Sequence, residues 1–556
     1  MENKQFVKIN RIISAVVLAF SSFVYLATIE PTVSFWDCGE FIASSYKLEI
    51  GHAPGNPVFQ LFAHIFTLFT DAEHAAAAVN CFSAICSAFT IFFLYLTIVH
   101  FGRRIMELKG RKMDLGNAIA VWGAGVVGAL AYCFSDTFWF SAVEGEVYAM
   151  SSMFTAIVFW AILKWEEEAD QAYANSWIIL ICFLTGLSVG VHLLNLLVIP
   201  VIVFIIYYKR HENEKVSLWK SFLILCLGGV GVAVVLYGII PLLPKLLAVT
   251  DRFFVNTLGC PFNVGTTVMM VAIFVICFLL LRSLRKKEKV IAHTAVLGLT
   301  TILIGYSTFA IVIIRASAGT PTNEWSPNNP YTLIKYLNRE QFGSSPIIYG
   351  QQYTSVIEAK ESTYYTQMGD RYIKTDSPLQ GRYPSGAKTV FPRMWSTQSP
   401  AHEAFYDTYT GGKFKTNRVR MSNGEMRTNK MPYFKDNLRF FFDYQLNYMY
   451  FRYFMWNFAG RQNDFHGQIP GNVTNGNWES GIRFIDEARL GNQDVAPDYF
   501  AHNESKNHYF FLPLILGIIG LFFQLNRDGR GCWVNFLLFF LTGIAIIIYL
   551  NQPPYQ

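Results

Sequence analysis

The stretch KINRIISAVVLAFSSFVYLATIEPTVSFWDCGEF, residues 8–41, carries the reading of the whole chain. Its apolar run, Ile12 to Thr28, follows Lys4, Lys8 and Arg11. A helix that crosses a bilayer needs about 20 largely apolar residues. The run is long for the apolar region of a signal peptide and no small-x-small cleavage site ends it, so it reads as a retained first span. Two acids, Asp37 and Glu40, follow it at once, set among Phe35, Trp36 and Phe41.

Outward from that stretch the pattern repeats. The chain has 556 residues, of which 52% are hydrophobic and only 15% charged, with a mean hydropathy of +0.29. Soluble domains carry about 25% charged residues. Further apolar runs place spans near 75–99, 116–135, 146–164, 176–190, 192–208, 219–243, 265–281, 291–314, 508–524 and 532–550, about eleven with the first near 11–29. The run from Trp177 to Tyr208 is too long for one helix and short for two, and is split at Val191-His192. The fold class is therefore an α-helical polytopic membrane protein.

Lysine and arginine test the count independently, because loops held in the cytoplasm are enriched in them. With the N-terminus inside, the inner loops carry Arg103, Arg104, Lys109, Arg111 and Lys112, then Lys209, Arg210, Lys215 and Lys220. Next come Arg282, Arg285, Lys286, Lys287 and Lys289, and last Arg527 and Arg530. The loop at 165–175 departs from the rule with Glu166, Glu167, Glu168 and Asp170, but acids weigh little in it. The net charge of +6 thus belongs to topology and does not call for nucleic acid as a partner. The outside loops become 30–74, 136–145, a turn at 191–192, 244–264 and the long stretch 315–507. In the first, Asn56 to Thr70 reads as an amphipathic helix at the membrane surface. The stretch 315–507 is too aromatic for a disordered linker and reads as a mixed extracytoplasmic domain. Its run Phe440–Phe458 fits either a helix lying on the membrane or one packed on that domain's core. The domain reading is then a transmembrane core at 1–314, the extracytoplasmic domain at 315–507 and a terminal pair of spans at 508–556.

Most of the nine cysteines lie in apolar runs, where cysteine behaves as a small hydrophobe. No C-x-x-C pair is present; Cys38 and Cys260 fall in outside loops and are the one pair a bridge could join.

The candidates for chemistry gather on the outer loops. Asp37 and Glu40 are three apart, so a helix places both on one face, with Ser44 a turn further on. Carboxylates partly desolvated by neighbouring aromatics rise toward general-base duty; the alternative is a solvated helix start with Asp37 at the favourable end of the dipole. Gly51-His52-Ala53-Pro54-Gly55-Asn56-Pro57 is turn-dense, and either holds His52 and Asn56 toward a ligand or joins two surface helices. Glu144 and Glu146 are two apart before a span, so on a continuing helix they diverge and at most one faces the site; acids are costly enough there to suggest function, with solvation at the interface as the alternative. His192 lies at the tight turn and either caps it or meets substrate. Arg315, on the side that disfavours it, either pairs with a lipid phosphate or reaches to headgroups. There is no H-E-x-x-H, P-loop, G-x-S-x-G or dinucleotide fingerprint, so no metal ligands are assigned and the energy of a transfer must come with its donor.

These features resemble a family. A first span, an acidic first outside loop, a multi-span core and a later extracytoplasmic domain are similar to the GT-C glycosyltransferases. The string Phe35-Trp36-Asp37-Cys38-Gly39-Glu40-Phe41, the loop 51–57 and Val143-Glu144-Gly145-Glu146-Val147-Tyr148 resemble a Bacteroidetes membrane-protein family of formerly unknown function, related to eukaryotic transmembrane protein O-mannosyltransferases. The resemblance implies an enzyme in a bacterial inner membrane with an extracytoplasmic active face. It implies inverting transfer of a sugar, mannose, from a polyprenyl-phosphate donor to Ser or Thr of an exported protein. Asp37 matches the acid that acts as base or binds an activating divalent metal, with Glu40 as second choice. His52, Asn56, Glu144, Glu146 and His192 would position sugar or acceptor, and Arg315 would neutralise the leaving phosphate. Members of the family run on past this length, so a missing C-terminal domain is expected. Two other classes compete: a transporter or flippase of lipid-linked sugar, disfavoured because the acids sit at span mouths and no internal repeat is visible, and an accessory protein of envelope secretion.

Overall fold

A computed structural model describes residues 3–212, 214, 217–342, 345–467 and 469–555, with the backbone alone at 360–362 and 377–380. Lys215, counted above among the inner-loop cations, lies outside the described residues. By its contacts the chain divides into two compact units, 1–342 with 365–373 and 524–538, and 343–364 with 374–523 and 539–556. The stretch 315–342, which the sequence reading gives to the outer domain, packs with the first unit.

The chain is a helical polytopic membrane protein with a second, mixed unit. Among the described residues nine helices are long and apolar enough to cross a bilayer. These include α1 (Asn3–Ala27), α4 (Ala75–Leu108), α5 (Leu115–Cys133) and α7 (Val147–Glu168), followed by Leu193–Arg210, Leu218–Leu258, Val264–Lys286, Val290–Ser317 and Gly529–Leu550. α8 (Asn175–Val189) and the helix Leu512–Arg527 are apolar but shorter. All eleven expected spans are therefore helical, and two of them fall short of a full crossing by length. Between the spans lie α2 (Cys38–Lys47), α3 (Pro57–Thr67) and α6 (Asp136–Ala142).

In the first unit α4 packs against α1, α5 and α7. Its core includes Tyr25, fully buried, whose hydroxyl donates to the Cys133 carbonyl at 2.9 Å. α8 and the helix Val290–Tyr306 cross at two glycines: a Cβ on Gly186 would meet the Ile302 carbonyl oxygen at 2.3 Å, and one on Gly305 the Leu187 nitrogen at 2.5 Å. Small residues let helices approach this closely where the hydrophobic effect cannot draw them together.

One expectation is corrected. The loop expected at 244–264 is helical to Leu258, because the helix Leu218–Leu258 runs on through a π turn at Val234–Ile239 and through Pro244. Pro244 removes the N–H that Ile240 would accept from, and the Tyr306 hydroxyl donates to that carbonyl instead at 3.1 Å. The bridge considered between Cys38 and Cys260 is not formed, since all nine cysteines are free. The acids of the 165–175 loop, which depart from the charge rule, are paired at their own end of the bundle. Glu166 binds Arg104 at 2.5 Å, and Glu167 binds His100 at 2.8 Å and Lys164 at 2.6 Å.

The second unit holds antiparallel pairs of strands, among them Tyr349–Gln351 with Lys388–Val390 and Lys415–Arg420 with Met426–Met431. Its core gathers Tyr353, Met394, Tyr406, Phe440, Tyr444 and Tyr448. The aromatic run 440–458 is thus the packed helix of the two alternatives along its Phe440–Tyr444–Tyr448 face, while Phe442 stands 54% exposed.

Candidate functional site

The site is built on α2 and the loop after it. Asp37 is the residue before the first turn of α2, exposed, and its backbone oxygen accepts from Phe41 N–H at 3.0 Å. Trp36, beside it, holds a positive φ of 62° and is 70% exposed. Non-glycine residues seldom adopt that conformation.

One turn on, Glu40 turns inward. Its Oε1 accepts from His52 N–H at 2.5 Å and meets His52 Nδ1 at 3.0 Å. Glycine at position 51 leaves room for this, since a Cβ there would lie 2.2 Å from the same oxygen. Burial works to raise the Glu40 carboxyl, but the two His52 bonds outweigh it and hold it below its ordinary value. The Glu40 bond in turn raises the His52 imidazole, against its burial. Tyr336, from the helix Pro330–Leu337, secures the far side of the loop, donating to the Gly51 carbonyl at 2.7 Å and reaching that of His52 at 3.2 Å. Gly55, at φ 77°, lies beneath the same ring. Asn56 is buried and starts α3, where its side chain makes no cap hydrogen bond.

The loop before α7 adds two buried acids. Glu144, 4% exposed, accepts from the Ser34 hydroxyl at 2.8 Å and lies 3.7 Å from Cys38 Sγ. Burial raises its carboxyl despite both contacts. Glu146 caps α7 by accepting from Val147 N–H at 3.1 Å. Burial, with Glu144 and Asp37 near, pushes its carboxyl up to about 8. The two glutamates do not diverge, because 143–146 is not a continuing helix: Glu146 has φ −125° and ψ 150°. The charges of Asp37, Glu144 and His52 all reach Glu146, so four of the sequence-named residues share one electrostatic neighbourhood, and Glu40 joins it through His52.

His192 belongs to the edge of that neighbourhood. Its ring meets Tyr148 with centroids 5.6 Å apart, and Tyr148 lies within reach of Asp37, Glu144 and Glu146. Leu194 N–H donates to His192 Nδ1 at 3.2 Å, so the neutral ring carries its proton on Nε2. Burial, aided by a nearby arginine, lowers it to about 4.

That arginine is Arg339, which the sequence reading missed. It follows the helix Pro330–Leu337 at φ 54°, is exposed, and its charge reaches His52, His192 and Tyr148. No motif marks it. Arg315, the cation that was named, is used elsewhere. Its Nε donates to the Leu48 carbonyl at 2.7 Å and Nη2 to that of Lys47 at 3.0 Å, closing the C-terminal end of α2. Glu49, also unmarked, is 3% exposed and accepts from Thr322 N–H at 3.3 Å.

Among the described residues no three His, Cys, Asp or Glu side chains are grouped to hold a metal ion. What the arrangement offers is two buried acids whose proton affinity burial raises, Glu144 and Glu146, near the exposed Asp37, with the charge of Arg339 reaching His52 and His192.

Residues 37–215 match the family model "Protein O-mannosyl-transferase TMEM260 N-terminal domain", and residues 343–442 match a family of unknown function (DUF8416). Protein O-mannosyl-transferase tmem260 of Dictyostelium discoideum is 27% identical over 150 residues, 26% of this chain and 16% of that protein. Protein O-mannosyl-transferase TMEM260 of Mus musculus is 25% identical over 203 residues, 36% of this chain and 26% of that protein. The matched parts thus span about a quarter or less of these relatives' length. The first family match opens at Asp37 and takes in Glu40, His52, Asn56, Glu144, Glu146 and His192. Over residues 37–215 this chain is related to the eukaryotic transmembrane protein O-mannosyltransferases.

Proposed function

We propose that the chain is a GT-C-like membrane glycosyltransferase that moves mannose from a polyprenyl phosphate to a Ser or Thr hydroxyl of an exported protein, on the extracytoplasmic face. What supports this reading is that the charges of Asp37, His52 and Glu144 reach Glu146 within the stretch related to protein O-mannosyltransferases. In the proposed step Asp37 takes the acceptor hydroxyl proton as its oxygen bonds to the anomeric carbon. The bond from that carbon to the lipid-phosphate oxygen breaks with inversion, and the phosphate leaves with the electron pair.

Asp37 is preferred to Glu40 because Glu40 is engaged by His52, whereas Asp37 is exposed. Glu144 and Glu146, raised by burial, serve as hydrogen-bonding groups for sugar hydroxyls. Arg339 takes the charge-neutralising role expected of Arg315. Leaving lipid phosphate needs no proton, so no general acid is required.

The test uses the purified full chain with a polyprenyl-phosphate mannose donor and a Ser/Thr peptide from an exported protein. Asp37→Asn should reduce transfer by about 100-fold or more with an unchanged melting temperature. Transfer that survives the substitution would remove Asp37 from the role, and glycoproteomics of cells lacking the gene would identify the acceptors.

A further inference from the structure

At the other end of α7, about 25 Å along its axis from Val147, a cavity opens between α1, α4 and α7. It has a volume of about 270 Å³. Its floor is apolar, with Phe92 and Leu96 from α4 and Trp160 from α7. Its rim is basic, with Arg11 from α1, Arg103 from α4 and Lys164 from α7.

We propose that this cavity binds the headgroup of an anionic phospholipid, with the acyl chains left in the bilayer beside α1. Charge complementarity carries the assignment. The one acid lining the cavity, Glu167, is held by His100 Nδ1 at 2.8 Å and Lys164 Nζ at 2.6 Å. Among the described residues Arg103 gives only its Nε, to Glu107 at 2.8 Å, and its guanidinium carbon sits 5.8 Å above the Phe6 ring. Arg11 makes no side-chain hydrogen bond or ion pair among the described residues, although it lines the cavity and is exposed. With three cations against Glu167 in the lining and Glu107 beside it, the site keeps a net positive charge, one suited to a phosphodiester.

The wall is fixed rather than loose: the Tyr95 hydroxyl donates to Asn10 Oδ1 at 2.9 Å and joins α4 to α1 at the cavity's edge. A basic pocket between spans, at the end of the bundle rich in Lys and Arg, is the arrangement that recognises acidic headgroups. A zwitterionic lipid of equal size would place its own cation against Arg11 and Arg103. The site is independent of the transfer chemistry proposed above.

The test is native mass spectrometry of the full chain with phosphatidylglycerol, with phosphatidylcholine of the same chains, and with phosphatidylglycerol in excess inorganic phosphate. Phosphatidylglycerol should be retained in preference, and inorganic phosphate should not displace it. Arg11→Gln with Arg103→Gln should weaken phosphatidylglycerol binding about 25-fold, at about fivefold per charge. Lys4→Gln with Lys8→Gln, the same charge loss at exposed positions outside the cavity, should leave retention at the unsubstituted level. Equal retention of the two lipids, or equal losses in the two double variants, would overturn the proposal. Displacement by inorganic phosphate would overturn the lipid in favour of the free anion.

Discussion

Replacing Gly51 by alanine should break the Glu40–His52 clamp without touching either residue. The new methyl carbon would sit 2.2 Å from Glu40 Oε1 and 3.3 Å from its carboxyl carbon, where ordinary contact begins at 3.4 Å. The oxygen must therefore retreat by about 1 Å. It is the same oxygen that meets His52 N at 2.5 Å and Nδ1 at 3.0 Å, so that retreat takes both contacts to the limit of hydrogen bonding or past it. A hydrogen bond to a charged acceptor contributes about 1.5–3 kcal/mol. Both side chains are 27% exposed, so solvent takes up part of the loss, and about 2–3 kcal/mol for the pair is expected.

The pH dependence follows from the two shifts. Glu40 is held below its ordinary 4.5, so its share of the stability is present above that value and is lost as pH falls through the depressed one. His52 is held above its ordinary 6.5, so its share is present below 6.5 and is lost as pH rises through the raised one. The difference between the parent chain and Gly51→Ala should therefore be widest between pH 4.5 and 6.5 and narrow on both sides. Thermal unfolding in detergent reads the first effect. NMR titration of labelled histidine reads the second, with His52 returning toward 6.5. Glu40→Gln should act like Gly51→Ala, and the double variant should cost little more than either alone. A Gly51→Ala protein that melts like the parent at pH 5.5, with His52 titrating unchanged, would refute the clamp: Glu40 would then have swung aside and rebuilt its bonds from the other oxygen.

The two arginines should separate by assay. Arg315→Ala removes two donors from the end of α2 and should cost about 1–3 kcal/mol of stability, seen as a lower melting temperature. Arg339→Ala should leave melting nearly unchanged and cut kcat of transfer about 100-fold or more. Glu146 is raised from 4.5 to about 8, so stability should fall as pH rises across that window, by at most about 5 kcal/mol from this group. Glu146→Gln keeps an oxygen for Val147 N–H and should flatten that slope in melts from pH 5 to 8; an unchanged slope would place its source elsewhere. Asp251 is fully buried and accepts from Asn263 N–H, Thr266 N–H and the Tyr372 hydroxyl. Asp251→Ala orphans three donors and should cost about 3 kcal/mol or more by denaturant titration.

The class of fold and the region of the site were legible in local sequence signals. Apolar runs and basic clusters are local signals, because a bilayer demands about 20 apolar residues from each crossing whatever its neighbours do. The acids near α2 and α7 were legible for the same reason, being costly at the mouth of a span. Their division of labour was not. Asp37 and Glu40 look alike at three-residue spacing, and only the return of Gly51-His52 onto α2 engages one and leaves the other exposed. Arg315 and Arg339 are equivalent as letters. Tertiary packing turns the first onto the carbonyls of residues 47 and 48 and brings the charge of the second to His52 and His192, across more than 140 residues of chain. A carboxyl's burial, and so its proton affinity, is likewise set by what folds over it. Periodicity fixes which segments enter the membrane; which side chains meet at its surface depends on contacts between residues far apart in the chain, and those exist only in the folded structure.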